Sequence, residues 1–260
     1  MDITKALVIY SSGKRGEHEK TIKEVKSALK AHRIKPVFIE KGKEKPSMVK
    51  GVDIVISIGG DGTFIEAAQL IEDDTPILGV NSDPSTSEGA HTAATRHDFR
   101  KKLGLILNGD FSVEKWTRFR PILGKRKLPL SLNEIYIGAE HLFSTSRYAV
   151  TFHDRREEQK SSGILIATGC GSTAWYSSAG GRPFSKMAHE GRFIVREPYC
   201  GHLVCGRTVQ GIFKPGESVI MESKMRDGIV VVDSAKVFKF PKGSVVRIDV
   251  SDKPLHVIVF

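Results

Sequence analysis

Residues 52–63 read Val52-Asp53-Ile54-Val55-Ile56-Ser57-Ile58-Gly59-Gly60-Asp61-Gly62-Thr63, and Phe64 to Ile71 continue with helical spacing. The first half is a continuous β-branched run of the kind buried on both faces of a parallel sheet. Three glycines then let the backbone turn sharply and approach a ligand without Cβ atoms in the way. The N–H groups of such a turn, Gly59 to Thr63, and the helix N-terminus behind it attract phosphate. Asp61 is out of place in a pure phosphate cradle, because its carboxylate repels phosphate. It binds a sugar hydroxyl, accepts that hydroxyl's proton, or holds a metal; a plain helix cap is the bland alternative.

Outward from this turn the chain alternates strand and helix. Ala6–Tyr10 is a short apolar run, Glu17–His32 carries Ile22, Val25 and Leu29 at helical spacing, and Pro36–Glu40 is strand-like. Pro76–Val80 is the next strand. A polar loop follows Asn81, and its 82–97 stretch is long enough for a lid. Phe99, Leu103, Ile106 and Leu107 mark one more helix. This alternation predicts an open parallel α/β sheet over residues 1–110. After Asn108-Gly109-Asp110 the pattern becomes many short strands punctuated by Gly, Pro and Asp/Asn, from WTRFRPIL at 116 to LHVIVF at 255. Residues 111–260 therefore read as a β-sandwich or related antiparallel assembly, interrupted by one helix at Ser172–Ala179. The last strand is expected to return to the first domain, and the cleft between the domains is the default ligand site.

Composition sets outer bounds. The 260 residues are 40% hydrophobic and 27% charged, which are globular proportions that exclude collagen-like and disordered chains. No apolar run is as long as a membrane-spanning helix, so no membrane partner is expected. The start MDITKALVIY reads straight into a strand, without the look of an export signal. Lys plus Arg is 40 and Asp plus Glu is 30, a net +10. Residues 11–50 hold most of that excess on one predicted helix and its flanks, with only Phe38 as an aromatic, so a nucleic-acid partner is not expected. A solvated basic face, or a field that gathers a phosphorylated small molecule, fits better. Ser11-Ser12-Gly13-Lys14-Arg15-Gly16 lacks the Walker pattern; Lys14 and Arg15 either face donor phosphates or sit in an exposed loop. Three cysteines, Cys170, Cys200 and Cys205, are too few and too scattered for a disulfide framework, and a reducing intracellular compartment is the expectation. Cys200-Gly201-His202-Leu203-Val204-Cys205 lacks the spacing and fourth ligand of a zinc site.

The GGDGT turn resembles that of NAD kinases, and also that of diacylglycerol-type lipid kinases and phosphofructokinases. The second half separates them. Leu132-Asn133-Glu134 is similar to the NAD-kinase Asn-Glu/Asp motif. Gly171-Ser172-Thr173-Ala174-Trp175 followed by Ser178-Ala179-Gly180-Gly181 resembles that family's GSTAY…SAGG segment, and Val232-Asp233-Ser234 resembles its late Asp-containing strand end. Lipid kinases lack the GSTA segment. Departures exist too. Gly79-Val80-Asn81 is followed by Ser82-Asp83-Pro84-Ser85-Thr86-Ser87-Glu88-Gly89 in place of a glycine and aromatic segment, and Ser161-Ser162-Gly163 replaces an acidic GDG. These stretches resemble the branch containing mitochondrial NAD kinases and plant NADH kinases.

The resemblance implies phosphoryl transfer from ATP, or polyphosphate, to the 2′-hydroxyl of the adenosine ribose of NAD⁺ or NADH. It implies Asp61 as the base. Gly59, Gly60, Gly62 and Thr63 would hold the donor phosphates, with Mg²⁺ bridging phosphate oxygens; metal ligands on the protein are left unassigned. Asp61, Gly62, Asn133, Glu134, Ser162, Thr173, Ala174, Trp175 and Ser178 would line the dinucleotide site, with Asn81 and Asp233 as further family-matched positions. Trp175 either stacks on a ligand ring or is a core aromatic. A homodimer or homotetramer in the cytoplasm is expected, or in the mitochondrial matrix if a transit peptide has been removed. A lipid kinase and a catalytically silent dinucleotide sensor stay open as alternatives.

Overall fold

The computed structural model describes residues 2–12, 16–141, 143–202 and 204–260. Lys14 and Arg15 thus lie outside the described residues. The chain divides into two compact units, Met1–Lys115 with Leu255–Phe260, and Trp116–Pro254.

The first unit carries β1 (Lys5–Tyr10), α1 (Gly16–Ala31), β2 (Lys35–Glu40), β3 (Ile54–Gly59), α2 (Asp61–Ala68), β4 (Ile77–Asn81), β5 (Ala94–Thr95), α3 (Phe99–Asn108) and β6 (Ser112–Trp116). β1, β2, β3 and β4 are parallel neighbours, with Leu7 opposite Val37 and Val55, and Val55 opposite Ile77. Every residue of β3 and β4 is buried, which explains why both read as unbroken apolar runs. Val25, Ala28 and Leu29 of α1 and Phe99, Leu103 and Ile106 of α3 pack on this sheet. Register brings the carboxyl ends of the strands level, with Tyr10 beside Ile58 and Gly59 beside Asn81. The strand-to-helix turn at Gly59–Asp61 therefore opens at the edge where parallel α/β sheets take their ligands.

One boundary differs from the sequence reading. The helix expected from Phe64 starts at Asp61, because the Gly60 carbonyl already accepts from Thr63 N–H (3.0 Å) and Phe64 N–H (3.3 Å). The glycine turn is thus shorter than it reads, and Asp61 and Gly62 are the first two helical residues.

The second unit is a sandwich of two antiparallel sheets. Its elements are β7 (Phe119–Leu123), β8 (Arg126–Lys127), β9 (Glu134–Ala139), β10 (Ser146–Phe152), β11 (Arg155–Ser161), β12 (Ile164–Ala167), α4 (Trp175–Ser178), β13 (Gly191–Val195), β14 (Gln210–Phe213), β15 (Ser218–Ser223), β16 (Gly228–Val232), β17 (Lys236–Lys239) and β18 (Val245–Val250). One sheet runs β11-β10-β15-β18-β7-β8 and the other β14-β13-β12-β9-β16-β17. Tyr148, Val150, Val219, Met221, Val246 and Ile248 of the first sheet meet Ile135, Ile137, Ile164, Ile166, Phe193 and Val230 of the second in one buried core. The expected helix at 172–179 is a 3₁₀ turn at Gly171–Thr173 followed by the single turn α4. The last strand, β19 (Leu255–Val259), returns to the first unit, where it lies between β4 and β6.

The cysteine expectation is corrected in part. Cys200 and Cys205 form a disulfide with a Cα–Cα distance of 4.1 Å, a pairing local enough to need no framework, while Cys170 is a buried free thiol.

Candidate active site

Two clusters of the expected site residues form, one in each unit. In the first unit the Asp61 carboxylate is 28% exposed and held from one side by the loop after β4. Oδ1 accepts from the His91 backbone N–H at 2.8 Å and lies 3.1 Å from His91 Nδ1; Oδ2 accepts from the Ala90 N–H at 3.1 Å. Burial pushes the Asp61 carboxyl up, but the His91 side chain and these N–H groups outweigh it and hold the group below the usual carboxylate range. His91 itself is buried, its ring 5.6 Å from that of Phe64.

The glycines around Asp61 keep this geometry open. A Cβ on Gly60 would come within 2.5 Å of Ser87 Oγ, so the loop closes on the turn only because no side chain is there. Beside Gly62 sits the Lys41 ammonium, donating to the Gly62 carbonyl at 3.2 Å and paired with Glu66 at 3.1 Å. Asn81 is directed at the loop: its Nδ2 donates to Ser87 O at 3.0 Å and its Oδ1 accepts from Asp83 N at 3.1 Å. Thus the 82–97 stretch, expected as a lid, is fastened at Asn81 and at Asp61, and again through β5 on β4.

In the second unit, Asn133 and Glu134 stand where β9 begins, and Asp233 and Ser234 stand just past β16, its sheet neighbour. The Asp233 carboxylate is buried and accepts from Ser131 Oγ at 2.7 Å, Leu132 N at 3.1 Å and Asn133 N at 2.8 Å. Ser234 Oγ donates to Glu134 Oε1 at 2.8 Å. Both Asp233 (φ 52°) and Ser234 (φ 53°) adopt left-handed backbone to deliver these contacts. Burial raises the Glu134 pKa to about 7; the Ser234 bond opposes the rise and the neighbouring Asp233 charge adds to it. Gly171 packs on the Asn133 backbone so closely that no Cβ would fit, which ties the GSTA segment to the Asn-Glu motif. Thr173, Ala174 and Ser178 are exposed beside it.

Trp175 is half-buried and stacked on Tyr136, with ring centroids 5.2 Å apart, and the Arg196 guanidinium lies 5.3 Å from its centroid. Tyr136 Oη donates to the Ser162 carbonyl at 3.0 Å, and Ser162 N donates to Arg196 O at 2.9 Å. Ser162 also lines a cavity of about 350 Å³ with Arg147, Lys160, Glu197 and Tyr199. Trp175 and Ser162 are therefore joined through Tyr136 and Arg196, two residues that sequence reasoning missed. His91, Lys41 and Ser234's bond to Glu134 escaped it too. No group of three or more metal-binding side chains converges among the described residues.

Known proteins resemble this chain over most of its length. The model of the ATP-NAD kinase N-terminal domain matches residues 4–111. A probable NADH kinase of Oryza sativa subsp. japonica is 29% identical over 93% of this chain and 81% of its own. An NAD kinase of Syntrophotalea carbinolica is 31% identical over 84% of this chain and 77% of its own. The crystal structure of an NAD kinase from Archaeoglobus fulgidus in complex with ATP superposes with a TM-score of 0.79 at 22% identity, covering 98% of this chain and 93% of that one, so the whole fold is shared. A glycine turn with an anchored aspartate, an Asn-Glu pair buttressed by a second aspartate, and full-length similarity lead to one conclusion: the chain belongs to the NAD kinase family.

Proposed function

We infer that the protein transfers the terminal phosphoryl group of ATP to the 2′-hydroxyl of the adenosine ribose of NAD⁺ or NADH, giving NADP⁺ or NADPH. The observation that carries this is Asp61: a carboxylate at the first position of α2, oriented by two backbone N–H groups and the His91 ring and still partly open to solvent. A ribose hydroxyl is a weak nucleophile, and its proton must leave as the new bond forms. The bond between O2′ and the γ-phosphorus forms, the bond from that phosphorus to the β,γ-bridging oxygen breaks, and the hydroxyl proton passes to Asp61. ADP leaves with the bridging oxygen. The Asp61 and Gly62 N–H groups precede the first helical hydrogen bonds and are suited to the donor phosphates. Phosphoryl transfer asks mainly for positioning and charge neutralisation.

Asn133 offers a donor and an acceptor toward adenine, and Glu134 accepts from a ribose hydroxyl. Thr173, Ala174, Ser178 and the Tyr136–Trp175 stack complete the adenosine wall in this reading. Magnesium enters as the counter-ion of ATP, and the working enzyme is a homodimer or homotetramer. A coupled assay with NAD⁺ and NADH, each with ATP and with polyphosphate, tests the substrates, with diacylglycerol as the contrasting acceptor. Turnover of diacylglycerol, or dinucleotide binding without turnover, would overturn the reading. Light scattering tests the assembly, and titration of ATP with Mg²⁺ and EDTA tests the metal.

A further inference from the structure

We propose that His91 is a positioning residue of the phosphoryl transfer: its Nδ1–H fixes the Asp61 carboxylate so that Oδ2, and not Oδ1, faces the ribose hydroxyl. The proposal rests on the reading of Asp61 as the base. Three observations support it. His91 addresses Oδ1 twice, through its backbone N–H at 2.8 Å and its ring at 3.1 Å, whereas among the described residues Oδ2 receives one contact, the Ala90 N–H at 3.1 Å. Oδ2 therefore keeps the greater acceptor capacity for a substrate proton. Second, the imidazole is 5% exposed and packed against Phe64, so its direction is set by the core of the first unit. Third, its contact is with the turn that carries the chemistry, since Asp61 opens α2 directly after Gly60.

The hydrogen-bond pattern also sets the tautomer. An ionised carboxylate only accepts, so the nitrogen facing it must carry the hydrogen, and Nδ1 is that nitrogen. When the ribose proton arrives, it lodges on Oδ2 while Oδ1 keeps both His91 donors. Among the described residues, Lys41 just past β2 and Glu66 of α2 are charged groups at the turn, and they pair with each other at 3.1 Å. Because the His91 N–H groups hold the Asp61 carboxyl low, the side chain keeps Asp61 ionised over a wider pH range than burial alone would allow.

The test uses His91→Phe and His91→Asn. Phenylalanine keeps a ring against Phe64 and keeps the backbone N–H, but removes the side-chain donor. Asparagine restores a donor near the Nδ1 position. Loss of one orienting contact at a reacting group is expected to lower kcat about 10–100-fold in His91→Phe, with KM for NAD⁺ and ATP within about threefold. His91→Asn should recover kcat to within about fivefold of wild type, and the acid limb of the kcat profile should move to higher pH in His91→Phe. Equal losses in both variants with an unmoved acid limb would mean that His91 only packs, and near wild-type turnover in both would mean that it does nothing; either result overturns the proposal. Should both variants fail to fold, ¹⁵N NMR of the wild-type imidazole still decides, because a proton on Nε2 with bare Nδ1 is incompatible with it. Asp61→Asn is measured alongside. If that variant is inactive while both His91 variants are normal, only the role of His91 fails; if Asp61→Asn turns over normally, the base assignment fails and His91 with it.

Discussion

Replacing Asp233 by alanine should do more damage than any single change at an exposed wall of the dinucleotide site. The carboxylate is buried and receives Ser131 Oγ, Leu132 N and Asn133 N. Without it, Ser131 Oγ still has the Glu134 carbonyl at 3.1 Å, so its hydroxyl keeps an acceptor. The Leu132 and Asn133 N–H groups lose the acceptor that orders them, at about 1–3 kcal/mol for each buried donor left unsatisfied. Relief of the like charge on Glu134 offsets a part of this. The expected loss is roughly 2–5 kcal/mol, which at a urea dependence of about 1–3 kcal/mol per molar lowers the unfolding midpoint by roughly 0.7–5 M. Trp116 and Trp175 supply the fluorescence signal. Because Asn133 and Glu134 hang from this contact, KM for the dinucleotide should rise more than KM for ATP. Asp233→Asn keeps one oxygen for Asn133 and Ser131 and should lose about half as much. A midpoint shift below about 0.3 M for the alanine variant at unchanged urea dependence would refute the idea that these bonds hold the Asn-Glu pair, as would an asparagine variant worse than alanine.

Asp61→Asn keeps the shape of the turn and removes the base; kcat should fall roughly 10²–10⁴-fold with NAD⁺ binding largely intact, and near wild-type turnover sinks the assignment. Glu134 carries a folded-state pKa of about 7 against an ordinary 4.5. Between those values the native chain holds a proton that the unfolded chain has released. Stability therefore falls as pH rises through that window, by roughly 2–4 kcal/mol in all. Glu134→Gln removes the slope, so urea midpoints at pH 5 and pH 8 should separate from wild type only at the higher pH; parallel behaviour contradicts the burial argument. Ser162 stands where the resemblance places an acid, beside Arg147 and Lys160 in the cavity it lines. Wild type should discriminate weakly between NAD⁺ and NADH. Ser162→Asp should move kcat/KM toward NAD⁺ by up to roughly fivefold, less at high salt, as expected for about 0.2–1 kcal/mol from a partly solvated charge pair. An unchanged ratio with both values altered would put Ser162 near the adenine.

What the sequence discloses here follows the range of the interactions. The 52–63 run is legible because strand burial, glycine turn and helix start are all local. Asn133-Glu134 and Val232-Asp233-Ser234 are legible one by one, but the hydrogen bonds between them span about a hundred residues and have no local signature. His91 reads as one more histidine in a polar loop; only its placement against Asp61 distinguishes it. Tyr136 is hidden for the same reason, since it reads as a routine strand aromatic until Trp175 lies on it. β11 has no such signature. Its sequence, Arg155-Arg156-Glu157-Glu158-Gln159-Lys160-Ser161, has no apolar alternation, because it is an edge strand: Arg155, Arg156 and Glu158 face solvent and guard the edge, while Glu157 turns in to accept from the Arg207 and Thr208 N–H groups.

β19 has a consequence for the order of events during synthesis. In the sheet of the first unit it lies between β4 and β6, yet it is encoded after the entire sandwich. A ribosome that has made β1 to β6 has made a sheet in which β5 covers only the Val80–Asn81 end of β4, and the stretch around Ile77 that β19 pairs in the finished sheet stays open while residues 116–254 are added. The sandwich, in contrast, draws every strand from one continuous stretch and closes on itself as soon as β18 emerges. Maturation therefore runs against the usual amino-to-carboxyl direction of domain folding. The unit that bears Asp61 is begun first and sealed last, so a chain whose translation stops at Pro254 has its sandwich complete while the sheet behind Asp61 still lacks β19.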